Sequence, residues 1–369
     1  MAGIYIHIPF CKSKCTYCDF ASYPKEIGKA DIYFACLYKE IKAKAESLKN
    51  YIFDTVYIGG GTPSFVEPKY IFGALKQVKN FYNLAENPEI TIEINPATLT
   101  EEKLKLYKSV GVNRFSVGLQ SADDNQLENL NRIHTSKDFL TTAELLKGEN
   151  FNADILLGLE NQTKDDVKNS IDLAIKGGAS HISAYALKAE EGTPIFSKYL
   201  NGDLPSEDET AELYDFAVKH LDENGFKRYE ISNFAKDGKV SKHNQNYWNR
   251  GEYIGFGVSS SSFIGNRRFT NTEKIDEYTA CILRDKSPEI FSEIIEGDEA
   301  EFEYIMLKLR TIDGFSFEDF KNRFGSDFKE KYKEKIKEVS SFVTADDKSI
   351  KIKPEYLYVQ NQIVIRFMD

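Results

Sequence analysis

The stretch "GIYIHIPFCKSKCTYCDF" (residues 3–20) places three cysteines directly after a short apolar run. Residues 3–8 are rich in isoleucine and tyrosine and predict a β-strand. Cys11, Cys15 and Cys18 follow in the spacing C-x3-C-x2-C. Three thiolates are too few for the usual four-ligand zinc site, and an odd number cannot be closed by internal disulfides. The segment therefore indicates a metal or redox centre with an unusual ligand set.

Three interpretations of these cysteines are open. A zinc site would need His7 as a fourth ligand, although His7 lies within the predicted strand. A redox pair of Cys15 and Cys18 would leave Cys11 without a role. A 4Fe–4S cluster normally takes four thiolates, so three from one loop would leave one iron open to an exchangeable ligand. This interpretation uses all three cysteines and is favoured.

The cysteine segment begins a repeating pattern of predicted strands and helices. The predicted strands are 3–8, 54–60, 89–95, 113–119, 152–159 and 181–187. The predicted helices between them are 28–49, 68–80, 100–110, 136–148 and 164–177. Alternation of this kind indicates parallel strands with right-handed crossovers. A complete barrel would need eight such units, and two more are not recognisable after residue 187. We therefore predict an α/β fold, a partial (β/α)6 barrel over residues 1–187.

Polar and glycine-rich segments follow the predicted strands. "GGGTP" follows the second strand, "NP" the third and "QS" the fourth. Because parallel α/β folds build their sites at the carboxyl ends of the strands, these segments should meet the cysteines there.

The rest of the chain predicts two further regions. Residues 188–297 form a less regular extension, with a helix near 206–224 and an aromatic, glycine-rich stretch over 228–265. From residue 298 the pattern changes to helices, followed by short strands around turns up to residue 369. This pattern predicts a small α+β domain, similar to a winged helix.

Composition limits the kinds of partner. The net charge is −10, and lysines alternate with glutamates along helical stretches, whereas nucleic-acid binders usually carry a basic stripe. We therefore expect no nucleic-acid partner. No apolar run is long enough for a membrane span, and the N-terminus lacks the pattern of a secretory signal. A cytoplasmic protein is expected.

The motifs together resemble a known family. "YIHIPFCKSKCTYCDF", "GGGTPS", "NRFSVGLQS", "YEISNFA" and "HNQNYW" occur in the order and spacing of the radical S-adenosylmethionine superfamily, in its oxygen-independent coproporphyrinogen III oxidase-like family. The resemblance implies that the amino and carboxylate groups of S-adenosylmethionine chelate the open iron of a 4Fe–4S cluster. It also implies that an electron from the cluster cleaves the sulfonium, giving methionine and a 5′-deoxyadenosyl radical.

Two activities compete within this family. The dehydrogenases carry a fourth cysteine in C-x3-C-x2-C-x-C, and this chain has Phe20 there. Phe20, "NRIHT" (131–135) and "HNQNYW" (243–248) resemble the haem chaperones of the family. That resemblance implies binding of haem and its transfer to an acceptor haemoprotein, for example a respiratory one, with a homodimer as one state. The alternative is a coproporphyrinogen III dehydrogenase, which oxidatively decarboxylates propionates to vinyl groups.

Individual site residues follow from the resemblance, and it assigns no catalytic residue. Cys11, Cys15 and Cys18 would hold the cluster. The residues implied to contact S-adenosylmethionine are Tyr5, Tyr17, Gly60, Gly61, Thr62, Glu93, Gln120, Arg132, Asp154 and Ala186. From the residues alone, "GGGTP" is also consistent with a tight turn, Arg132 with a surface charge and Asp154 with an ordinary strand position.

The haem contacts implied by the resemblance are His243, Asn244, Tyr247 and Trp248. His243 would contact the iron, since imidazole is a common axial ligand of haem. A structural histidine beside a packing tryptophan is the alternative. The chain departs from the family at Glu160, where proline is common, and at Ser241 and Lys242, where chaperones often have a cysteine before His-Asn.

Overall fold

The computed structural model describes residues 1–368. Its strands are, in chain order, β1 (Ala2–Ile8), β2 (Phe53–Gly60), β3 (Leu84–Ile94), β4 (Arg114–Gln120), β5 (Phe151–Leu157), β6 (His181–Ala186), β7 (Lys227–Arg228), β8 (Asn233–Ala235), β9 (Tyr253–Phe256), β10 (Ser261–Ile264), β11 (Arg267–Asn271), β12 (Glu289–Ile294), β13 (Phe315–Ser316), β14 (Val343–Ala345) and β15 (Ser349–Ile352). Strands β1 to β6 lie side by side in chain order and are all parallel. The predicted α/β barrel core is confirmed.

The helices connect these strands as the alternating pattern predicts. They are α1 (Ala30–Lys44), α2 (Pro68–Phe81), α3 (Glu101–Ser109), α4 (Asp124–Asn129), α5 (Ser136–Leu145), α6 (Lys164–Lys176), α7 (Ile195–Asn201), α8 (Glu207–Glu223), α9 (Lys242–Trp248), α10 (Ile275–Leu283), α11 (Gly297–Lys308), α12 (Phe317–Phe324), α13 (Phe328–Lys331), α14 (Lys333–Glu338) and α15 (Gln360–Val364). Thr135, Thr163 and Ser206 begin α5, α6 and α8 with capping boxes, in which side chain and backbone satisfy each other's end groups. Local sequence therefore sets where these helices start.

The large sheet is open. Its order is β12-β11-β10-β9-β1-β2-β3-β4-β5-β6-β8-β7, so β1 pairs with β9 and β6 pairs with β8 instead of with each other. Strands β7 to β12 all come from residues 188–297, which the sequence predicted as a less regular extension. These strands have between two and six residues, too short for a periodic pattern to be recognised, and they form on the edges of the existing sheet.

The two faces of the parallel strands differ in polarity. On β1, Ile4, Ile6 and Ile8 are fully buried in the core that contains residues of α1 and α2. The alternate residues face the other side, where Tyr5 is in register with Tyr57 and Gly255. Because side chains alternate along a strand, this second face collects the polar residues of all six parallel strands.

The C-terminal region contains a small antiparallel sheet of order β13-β15-β14 packed with helices, in agreement with the predicted α+β fold. The prediction of strands up to the C-terminus is wrong after residue 353. Residues Pro354–Val359, α15 and Ile365–Phe367 are helical turns. Pro354 begins the first of these, and Leu357, Ile363 and Phe367 pack into the local core. Over residues 1–368, no helix has the length and apolar character needed to cross a membrane.

Candidate functional site

The loop that carries the three cysteines connects β1 to the helical turn at Pro24–Lys29. One side of this loop is held by the glycine-rich segment after β2. The backbone N–H of Gly61 donates to the carbonyl of Ile8, and that of Thr62 donates to the carbonyl of Phe10, each at 2.8 Å. The loop is therefore fixed to the end of the neighbouring strand by backbone hydrogen bonds.

The other side of the loop is held by the "NRIHT" segment. The Nδ2 of Asn131 donates to the Oγ of Ser13 and to the carbonyl of Lys14, both at 2.8 Å. Asn131 has a φ of +56°, in the left-handed region that asparagine tolerates better than most residues. The N–H of Thr16 also donates to the carbonyl of Leu130 at 3.1 Å. This motif therefore positions the cysteine loop.

Two of the cysteine sulfurs accept hydrogen bonds from polar side chains. The Oγ1 of Thr62 donates to the Sγ of Cys11 at 3.4 Å, and the Nη1 of Arg132 donates to the Sγ of Cys15 at 3.5 Å. Burial raises the pKa of the Cys11 and Cys18 thiols. Within residues 1–368, no three histidine, cysteine, aspartate or glutamate side chains converge closely enough to hold one metal ion. A cubane bonds each thiolate to a different iron, so its thiolates lie further apart than those around a single ion.

The glycine segment after β2 packs so closely against the cysteine loop that side chains would not fit between them. A Cβ on Gly61 would lie 2.9 Å from the carbonyl oxygens of Ile8 and Phe10. It would also lie 3.0 Å from the Sγ of Cys11. Gly60 has a φ of +110°, and a Cβ there would meet the ring of His7 at 2.5 Å. These close approaches fit a segment that holds the cysteine loop against the sheet.

We expect Gly61→Ala to reduce incorporation of a cluster several-fold without unfolding the chain. The added methyl group would push the Cys11 backbone away from β2, because the carbonyls it meets cannot move independently. Iron and sulfide content after anaerobic reconstitution would measure the loss. Gly28→Ala is the matched control, since a Cβ on Gly28 meets nothing within 4 Å. Equal iron content in both variants would contradict this expectation.

A cavity of about 430 Å³ lies between the cysteine loop and the polar face of the sheet. We call it the cluster cavity. It brings together most of the residues predicted from the sequence. Those that line it are Cys11, Cys15, Tyr17, Cys18, Gly60, Gly61, Thr62, Glu93, Gln120, Arg132, Asp154 and Asn244.

Two carboxyl groups lie at the base of the cluster cavity. Glu93 accepts hydrogen bonds from the hydroxyl of Tyr57 at 2.9 Å and from the N–H of Gly60 at 3.1 Å. Burial, with a smaller contribution from Asp154, raises the pKa of Glu93 to about 7. Burial also raises the pKa of Asp154. A cationic ligand would favour the ionised form of these groups, so the site suits a positively charged molecule.

Gln120 ends β4 in a strained conformation. Its φ is +68°, and the pairing of β4 with β5 shifts register between Gly118 and Gln120. A non-glycine residue in this region costs on the order of 1 kcal/mol, and such strain is common at functional sites. The Nη2 of Arg132 donates to the carbonyl of Gly118 at 2.9 Å, so Arg132 links this distorted strand to Cys15.

The cluster cavity also contains residues that the sequence analysis missed. They are Tyr57, Arg114, Ser116, Asn152, Ser183 and Tyr185. These residues occupy alternate positions of the parallel strands, together with Glu93 and Asp154. Parallel strands are normally buried on both faces and apolar throughout. Polar residues at every second position of these strands are therefore a departure, and this pattern would have identified the missed residues.

Several predicted residues lie outside the cluster cavity. Tyr5 and Tyr247 line two further cavities, and Trp248 lines one of these. Ala186 is not among the lining residues of any of the three cavities. The structure therefore divides the predicted residues between neighbouring sites.

The "HNQNYW" motif forms α9, which packs against β1, β2 and α11. Its first turn is held by two groups. Ser241 is the N-cap and accepts from the N–H of Asn244 at 3.3 Å, so a serine at this departure from the family has a structural role. The buried carboxylate of Glu89 accepts from the N–H groups of Lys242 and His243.

His243 is 1% exposed and both its ring nitrogens have partners. Nδ1 shares a hydrogen bond with the Oγ1 of Thr55 at 2.8 Å, and Nε2 shares one with the hydroxyl of Tyr247 at 2.9 Å. The ring stacks on Tyr57 at 5.2 Å between centroids. Burial lowers its pKa to about 3, so the imidazole is neutral. In this arrangement His243 is a satisfied core residue.

Two further cavities adjoin the first. A small one of about 220 Å³ lies above α9, lined by residues that include Tyr57, Glu93 and His243. A larger one of about 600 Å³ lies beside β9 to β11. Phe20 lines all three cavities and is 60% exposed. The residue that replaces the fourth cysteine of the dehydrogenases therefore stands where the three cavities meet.

Comparison with known proteins identifies the fold and the family. Residues 5–174 match the sequence profile of the radical SAM superfamily, and residues 295–355 match the HemN C-terminal domain. The structure of coproporphyrinogen III oxidase (HemN) from Escherichia coli, a radical SAM enzyme, covers 99% of this chain and 89% of its own length with a TM-score of 0.87. At 19% identity this likeness shows the fold alone.

Curated relatives are more similar in sequence. "Heme chaperone HemW" of Bacillus subtilis (strain 168) is 34% identical over 88% of this chain and 87% of its own length. The protein of the same name from Lactococcus lactis is 33% identical over 91% of this chain and 88% of its own length. "Radical S-adenosyl methionine domain-containing protein 1, mitochondrial" of Bos taurus is 35% identical over 69% of this chain and 59% of its own length.

Proposed function

Since this chain belongs to the radical SAM superfamily, in its HemN-like branch with the HemW proteins, we propose that it binds haem and transfers it to an acceptor haemoprotein. The observation that carries this proposal is the similarity to proteins named heme chaperone HemW over nearly the whole chain. Phe20 in place of a fourth cysteine supports it, because that position separates the two activities of the family.

The proposal includes a 4Fe–4S cluster at Cys11, Cys15 and Cys18, and S-adenosylmethionine in the cluster cavity. Three features fit these groups. They are the glycine segment after β2, the side chains of Thr62 and Arg132 that donate to cysteine sulfurs, and the buried carboxyl groups of Glu93 and Asp154. When bound, the pair supplies one-electron chemistry at the sulfonium. The chain's own residues do the rest: Gly61 and Thr62 hold the loop against β2, Arg132 holds Cys15, and Glu93 provides negative charge for a cation.

Haem is the proposed cargo, and Asn244, Tyr247 and Trp248 remain its proposed contacts. His243 can reach iron only if the hydroxyl of Tyr247 leaves Nε2, since both ring nitrogens are otherwise engaged. Phe20 adds an exposed aromatic surface beside the motif, and aromatic side chains pack well against a flat macrocycle. A cytoplasmic location and a respiratory acceptor belong to the same proposal.

An anaerobic haem titration of the cluster-reconstituted chain tests the proposal. We expect the Soret band to saturate at about one equivalent, and we expect Phe20→Ala to weaken binding several-fold. Phe81→Ala is the matched control, because Phe81 is an exposed phenylalanine at the end of α2 and lines none of the three cavities. Absorbance that rises without saturation would contradict haem binding. Decarboxylation of coproporphyrinogen III by the same sample would then support the alternative activity.

A further inference from the structure

The larger neighbouring cavity is lined by the proposed haem contacts Tyr247 and Trp248. We call it the edge cavity, because strands β9 to β11 on one edge of the sheet form its wall. It is lined by the aromatic residues Tyr5, Phe20, Tyr247, Trp248, Tyr253 and Phe263. Its volume of about 600 Å³ lies within the usual range for small-molecule sites. This size and aromatic lining suit a flat, largely apolar ligand.

A buried arginine lines the same cavity with part of its hydrogen-bonding capacity unused. The side chain of Arg250 is 9% exposed, and its Nε donates to Glu303 at 2.6 Å. Its Nη2 is enclosed and has no hydrogen-bond partner among residues 1–368. The indole Nε1 of Trp248 is likewise enclosed and without a partner. Buried donors of this kind are costly unless an acceptor satisfies them.

The backbone and a neighbouring ring hold Arg250 in place. Its φ is +50°, in the left-handed region that non-glycine residues rarely adopt. Its guanidinium lies over the ring of Phe263 at 4.6 Å. The left-handed conformation ends α9, where the N–H of Gly251 donates to the carbonyl of Asn246 at 2.8 Å. The guanidinium itself is fixed at the cavity wall by the ring of Phe263 and the carboxylate of Glu303.

Among residues 1–368, Arg250 does not have a carboxylate partner of its own. Arg250 and Arg268 both pair with the single carboxylate of Glu303. Arg268 also reaches Glu293 at 3.5 Å, but that carboxylate is 44% exposed. Asp19 lines the cavity mouth and is exposed. Glu303 is therefore shared between two guanidinium groups, so its single charge does not fully neutralise Arg250.

We propose that the edge cavity binds a planar aromatic carboxylate, with Arg250 as the carboxylate contact. A guanidinium matches a carboxylate in charge and in geometry. This inference rests on the proposed function: if the cargo is haem, the bound group is a propionate, and the macrocycle lies against Tyr247 and Trp248. It places the cargo beside the cluster cavity, joined to it at Phe20.

The test compares haemin with its dimethyl ester, which keeps the ring and iron but lacks both carboxylates. Each is titrated anaerobically into the reconstituted chain and its Arg250→Gln and Arg250→Lys variants, in the same detergent. We expect Arg250→Gln to weaken haemin binding about tenfold or more, with Arg250→Lys intermediate. The ester should bind weakly to the unsubstituted chain, and Arg250→Gln should not weaken it further. Arg267→Gln is the control, because Arg267 is on β11 outside the cavity and pairs with Glu289.

The outcomes separate the two proposals. If the unsubstituted chain binds no haemin saturably, the proposed function fails and this inference fails with it. If it binds haemin and Arg250→Gln binds equally well, the function stands and the inference is wrong. Equal weakening of haemin and ester by Arg250→Gln would also overturn it, since that pattern reports damage to the cavity rather than loss of a carboxylate contact. Selective weakening of haemin supports it.

Discussion

Replacing Cys15 with serine should abolish assembly of the 4Fe–4S cluster, lowering iron from about four atoms per chain to below one. The sulfur of Cys15 is the one to which Arg132 donates, and the same arginine is bonded to the distorted end of β4. A serine hydroxyl is a much weaker iron ligand than a thiolate because it is far harder to deprotonate, and only two thiolates would remain. Iron and sulfide assays and visible absorption measure the effect. Binding of S-adenosylmethionine should weaken at least tenfold in the same sample.

Cys281→Ser is the control for this prediction. Cys281 lies on α10 and lines none of the three cavities, so the variant should keep full iron content and full affinity for S-adenosylmethionine. Undiminished iron in Cys15→Ser, or equal loss in both variants, would show that the cluster is held elsewhere.

Much of the site could be predicted because its parts are local in sequence. The cysteine spacing, the glycine segment and the strand before each of them lie within short windows, and parallel strands place their carboxyl ends together. Six βα units therefore fix where Cys11, Gly61 and Glu93 must meet. The polar alternation on β4 to β6 carried the same information for Ser116, Asn152 and Ser183.

The division of the predicted residues between cavities could not be read from the sequence. It depends on β9 to β11 joining the sheet beside β1, so that Tyr5 faces the edge cavity. Those strands have four or five residues and are stabilised mainly by the sheet edge they join. The role of Arg250 was hidden for the same reason, because Glu303 approaches it from α11, more than fifty residues further along the chain.

His243 was predicted to contact haem iron, and its buried position leads to a different measurable effect. We expect His243→Ala to lower the free energy of unfolding at pH 7.5 by about 3 kcal/mol. The change would leave a cavity beside Tyr57 and remove the partners of Thr55 and Tyr247. Tyr247→Phe is the matched control, since it removes one hydrogen bond and keeps the imidazole, at a cost of about 1 kcal/mol. Urea unfolding of the cluster-free chains would measure both, and equal stability of His243→Ala and the unsubstituted chain would contradict a core role.

The same variant should respond differently to acid. The pKa of His243 is about 3 in the fold, against about 6.5 when unfolded. Below pH 6.5 the unfolded chain therefore binds a proton that the folded chain excludes, and stability falls by about 1.4 kcal/mol per pH unit for this group. His243→Ala lacks this loss, and the contributions of the other histidines cancel in the comparison. The difference between the two chains should thus shrink from about 3 kcal/mol at pH 7.5 to about 1 kcal/mol at pH 5. A difference that stays constant would mean that His243 can be protonated inside the fold, and that its burial does not hold it neutral.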